Sequence, residues 1–98
     1  MNIISVRDIK DHTRIDSNAE DHLLELYGES AEVTILNMLN RSFESLIEEY
    51  GCVPTPIRHA CLLLAAHSYT NREPASTQNL YAVPYSIDAL IKPYMIFV

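Results

Sequence analysis

Glycine is nearly missing: the 98-residue chain has two, Gly28 and Gly51. A phosphate-cradling loop needs clustered glycines so that the backbone can approach the anion, and residues 23 apart cannot supply one. Cysteine is equally scarce. Cys52 and Cys61 form neither a Cys-x-x-Cys redox pair nor half of a familiar zinc pattern, and both are expected to be small buried thiols outside any disulfide. No apolar run approaches the ~20 residues that span a bilayer. Met1-Asn2-Ile3-Ile4-Ser5 lacks the basic start and long apolar core of a signal peptide, so the expectation is a soluble intracellular protein. Clusters of Lys and Arg are also lacking. The formal charge is −6, with eleven acids against four cations in residues 1–50 and two against three in residues 51–98. Gripping nucleic acid through its phosphates is therefore disfavoured.

What is present is an ordinary globular composition, 48% apolar and 20% charged. The chain holds no internal repeat and no low-complexity segment. At this length it has room for one domain, residues 1–98, with a modest core. Ser5-Val6-Arg7-Asp8 has the Ser-x-x-acid form of a capping box and predicts a short helix to about Asp11. A second box, Ser17-Asn18-Ala19-Glu20, opens a proline-free run from Ala19 to about Asn40, in which Gly28 suits either a close helix crossing or a kink. Leu23, Leu24, Leu26, Tyr27, Ala31, Thr34, Ile35 and Met38 share its broad apolar side.

Phe43, Leu46, Ile47 and Tyr50 then recur at helical spacing until Gly51 stops them. Thr55-Pro56 reads as an N-cap followed by proline at the first helical position. It starts a helix to about Asn71 whose stripe of small and medium side chains is Ile57, Ala60, Cys61, Leu64, Ala65 and Ser68. Residues 73–83 read as an exposed loop. A last short helix, capped by Ser86 and carrying Ile87, Leu90 and Ile91, should end at Pro93. The apolar tail Tyr94-Met95-Ile96-Phe97-Val98 needs cover, from its own core or from a neighbour. The predicted fold class is all-α: a small bundle of four to five helices, two of them long.

Little here points to catalysis. His59 and Cys61 are two apart on one helix and point roughly 200° away from each other. His59 and His67 share a face with Leu63 between them, which fits a packed or solvated flank better than a metal site. His12 and His22 lie in or beside acidic segments and read as surface histidines. Asp21, Glu25, Glu29 and Glu32 gather on one side of the long helix with no interleaved cation. Such acids repel one another. They form a solvated face, the mate of a basic patch on a partner subunit, or the lining of a pore through which a polyanion slides. Arg72 and Asn71 suit a helix C-terminus. Glu73 there needs an ion pair, and Arg14 is one candidate.

Several segments together resemble the small head-tail connector proteins of tailed bacteriophages and prophages. They are Thr13-Arg14-Ile15-Asp16, Asp21, Ala31, Tyr69-Thr70-Asn71-Arg72-Glu73, Val83-Pro84, Leu90 and Pro93-Tyr94, in that order over nearly the whole chain. Two departures are Thr13, where the family usually has Leu before the Arg, and Met95, where it often has Arg. The resemblance implies an all-α structural adaptor that assembles with itself into a ring of about a dozen copies. That ring would lie beneath the portal, meet portal and tail or stopper proteins, and continue the DNA channel. DNA would pass without specific binding. The implied place is the virion neck, and the host cytoplasm during assembly. No enzyme activity, cofactor, metal or membrane is implied. Arg14, Asp16, Asp21, Asn71, Arg72, Glu73, Pro84 and Tyr94 become the motif and assembly candidates, and Glu25, Glu29 and Glu32 the channel- or partner-facing acids. The alternative is a small helical interaction module of a bacterial host that holds a partner segment in a groove.

Overall fold

The computed structural model describes residues 2–14, 18–70 and 85–96, with Tyr85 described by its backbone alone. Helix α1 spans Val6–Thr13, α2 Asp21–Leu39, α3 Phe43–Tyr50, α4 Thr55–Thr70 and α5 Tyr85–Ile91, and a 3₁₀ turn, Lys92–Tyr94, follows. No strand occurs among the described residues. The protein is all-α, and its shortest dimension of 17 Å corresponds to two layers of helices.

Local chemistry explains most boundaries. In α1 the predicted capping box is complete: the Ser5 hydroxyl accepts from the Asp8 N–H, and the Asp8 carboxylate accepts from the Ser5 N–H. Helix α2 starts at Asp21, two residues later than the box at Ser17 implies, because Asn18–Glu20 form a turn and Glu20 at the N-cap gives no side-chain cap. Ser17 lies outside the described residues. The helix runs through Gly28, which is buried, without interruption. It closes on Asn40 in the left-handed conformation, whose N–H reaches the Asn37 carbonyl while Arg41 N–H reaches that of Leu36. Those two bonds make a Schellman closure. Ser42 caps α3 by accepting from the Ser45 N–H, and Gly51 at φ 79° ends it as expected.

The start of α4 differs by one residue from the sequence expectation. The Pro54 carbonyl accepts from Ile57 and Arg58, so Thr55 is already helical and Pro56 sits second. Proline is tolerated there because first-turn N–H groups have no intrahelical partner. Ser86 likewise lies inside α5 rather than capping it, and Pro93 falls within the 3₁₀ turn after Ile91.

Helix α4 is the hub and packs against α1, α2 and α5. Of its predicted stripe, Ile57, Ala60, Cys61, Leu64 and Ala65 are buried and Ser68 is half-buried. On α2 the inward face is Leu24, Gly28, Ala31, Ile35 and Leu39. Leu26 and Thr34, expected on the apolar side, are exposed. Leu46, Ile87 and Ile91 complete the core from α3 and α5. The tail follows its own core as far as described: Met95 packs against it, and the Ile96 N–H donates to the Leu39 carbonyl at 2.9 Å. Phe97, Val98 and the 73–83 loop lie outside the described residues.

Candidate assembly surface

The acid stripe read from the sequence divides into three environments. Glu32 is a correction: it is 6% exposed, one helical position round from the exposed face, and cannot line a channel or meet a partner as a surface acid. Its Oε1 accepts from the Asn2 N–H at 2.9 Å, and its Oε2 accepts from the N–H groups of Ile3 and Ile4 at 3.0 and 2.8 Å. No strand among the described residues takes these donors. A carboxylate with two oxygens serves all three, and Ile3 and Ile4 are buried in consequence.

Asp21 reaches α1 through one oxygen while its side chain stays 44% exposed. Its Oδ1 is enclosed, and Lys10 Nζ at 2.6 Å balances the charge. The same ammonium donates to Asn18 Oδ1 at 2.5 Å, so one lysine ties α1 to the turn that enters α2. Glu25 and Glu29 are left on the exposed side of α2.

That side also carries apolar surface. Leu26 and Val33 are each 58% exposed, the most exposed large apolar side chains among the described residues. Next to Val33 is a shallow depression of about 260 Å³ lined by Asn2, Glu29, Glu32, Val33 and Leu36.

The other motif positions have varied surroundings. Arg14 is exposed and ends α1 in the left-handed conformation, φ 60°, with its N–H on the Lys10 carbonyl. Tyr94 packs edge-on against Tyr50 at 5.8 Å between ring centroids. Tyr69, just before the Asn-Arg-Glu segment, donates its hydroxyl to Glu20 Oε1 at 2.7 Å and meets the Tyr27 ring edge-on. Asp16, Asn71, Arg72, Glu73 and Pro84 lie outside the described residues, as does any Arg14–Glu73 pair.

Two further clamps carried no sequence signal. Arg58 of α4 reaches Asp8 of α1 at 3.1 Å. Partial burial opposes ionisation of Asp8, but the Ser5 backbone N–H, Arg58 and the Ser5 hydroxyl together hold its carboxyl below the usual range. Arg41 spans α3 by contacting Ser45 and Glu49 and lying over the Tyr50 ring at 5.3 Å. Cys61 is buried as expected, and burial together with the Glu32 charge pushes its thiol up to about 12. Cys52 is exposed, contrary to expectation. It follows Gly51 in the α3–α4 connection, where no helix face shields it.

The described residues hold no group of three metal-ligating side chains, and no described helix is long and apolar enough to cross a membrane. No curated protein and no solved structure matches the chain. A model of one family, described as phage gp6-like head-tail connector protein, matches residues 3–95. The match takes in every described helix, and the chain belongs to the phage gp6-like head-tail connector family.

Proposed function

We infer that this protein is a structural adaptor in the neck of a phage or prophage virion. Copies of it form a ring of about a dozen subunits that joins the portal to tail or stopper proteins and continues the DNA channel. The observation that carries this reading is the family match over residues 3–95. The protein works by being assembled, in the host cytoplasm, and not by turnover. A net charge of −6 per copy supports passage of DNA without adhesion, since like charge keeps a polyanion from settling on the wall.

In this role Asp21 holds α1 on α2 through Lys10 and so shapes the subunit. Arg14 and Tyr94, with Asp16, Asn71, Arg72, Glu73 and Pro84, are the proposed contact and positioning residues. The test is negative-stain electron microscopy of the purified chain, alone and with its portal. Rings with a central opening that admits a DNA duplex are expected. Isolated small particles in both samples would refute the adaptor role.

A further inference from the structure

Residues 2–4 are fastened by hydrogen bonds at a single side chain. We propose that they form a strap that swings open about Ser5 as a unit while the helices stay folded, exposing Ile3 and Ile4 and freeing the Glu32 carboxylate for other donors. Such a motion belongs to the single chain and is independent of the adaptor role.

Successive N–H groups of an extended backbone point in alternating directions, so three in a row meet one anion only where the chain turns. Ile3 lies at such a bend. The N–H groups of Asn2, Ile3 and Ile4 reach the two oxygens of Glu32 at 2.9, 3.0 and 2.8 Å. No further hydrogen bond joins residues 2–4 to the described residues. The conformation of the segment therefore depends on one side chain of α2 and on the burial of Ile3 and Ile4, which are 9% and 3% exposed.

The boundary towards α1 is sharp. Ser5 is exposed, and its hydroxyl and N–H close the capping box with Asp8. Neither bond involves residues 2–4, so α1 keeps its first turn when the strap leaves. Arg58 holds Asp8 at 3.1 Å, Lys10 holds Asp21 at 2.6 Å, and Ile9 is fully buried. Helix α1 is thus anchored to α4 and α2 by contacts of its own, and rotation between Ile4 and Ser5 is enough to release the strap.

The strap also forms part of the surface. Asn2 and Glu32 line the depression of about 260 Å³ beside Val33. Opening removes Asn2 from that lining and uncovers the seat of Ile3 and Ile4 next to Glu32. This side of α2 thereby has two states, closed and open, that differ in exposed apolar area.

Amide hydrogen exchange of the full chain, over a urea series below the unfolding transition, tests the strap against Ala60 and Leu64 of α4 as references for global unfolding. Ile3 and Ile4 should be protected, yet exchange about a hundredfold faster than the references and with little dependence on urea, the mark of a local opening that exposes little surface. In Glu32→Gln a donor replaces one of the two accepting oxygens, and protection at Ile3 and Ile4 should fall about tenfold with helical circular dichroism unchanged. Exchange of Ile3 and Ile4 in step with Ala60 and Leu64, at the same rate and urea dependence, would overturn the strap, as would no protection at all. Unchanged protection in Glu32→Gln would also overturn it, because the fastening would then lie elsewhere. Should that variant fail to fold, the urea series on the unaltered chain still decides.

Discussion

Glu32 is the residue on which the N-terminal segment depends. Three backbone donors converge on one buried carboxylate, and a buried donor left without a partner costs about 1–3 kcal/mol. Glu32→Ala should lower stability by about 3 kcal/mol in urea unfolding followed by circular dichroism. Glu32→Gln should lower it less, because one oxygen can still accept. Deleting Asn2–Ile4 from the Glu32→Ala chain should add less than the same deletion does in the wild type. Additive losses would mean that the carboxylate and the segment act independently. Cys61 gives a second test at this scale. A thiolate is the reactive form, and burial in the core raises this thiol to about 12. Iodoacetamide at neutral pH should label Cys52 in the native chain and Cys61 only after denaturation, read by peptide mass. Equal labelling of both would contradict the position of α4.

Among the elements, the short helices depend on their ends and the long ones on their faces. Helices α1 and α3 have eight residues each, too few to persist alone, and both are capped at the N-terminus and closed by a left-handed residue. A Cβ at Gly51 would meet nothing within 4 Å, so Gly51→Ala tests conformation without steric conflict. A loss of about 1 kcal/mol in the unfolding free energy is expected. The core face of α4 behaves differently. Ala60 is fully buried in the face of the hub helix, and Ala60→Leu should cost about 1–3 kcal/mol by overpacking. A neutral result would mean that the helices stand further apart than described.

The same contrast explains what could be read from the sequence. The α4 stripe and the Ser5 box were legible because a single periodicity, or a single four-residue signal, settles each of them. The faces of α2 were less so. Its apolar residues extend round more than one side, and spacing alone does not say that Leu26 points out while Leu39 points in. Glu32 was misassigned for a related reason: its charge suggested solvent, yet its partners are backbone groups of residues 2–4, nearly thirty positions away. Side-chain type gives no notice of such a pairing. The clamps Lys10–Asp21 and Arg58–Asp8 are also tertiary, and no local pattern marks them.

For the whole molecule, family membership and surface point the same way. A small helical subunit retains exposed apolar side chains on α2 and exposed arginines at positions 7 and 14. Each copy carries −6, so copies repel unless specific contacts overcome that charge, and assembly should be steep in concentration and strengthened by moderate salt. The most direct test of the central claim is native mass spectrometry of the purified chain across a concentration series at near-physiological salt. A closed species of about a dozen subunits with few intermediates is the expected result. A continuous ladder of sizes, or a monomer and dimer at every concentration even with the portal present, would contradict it.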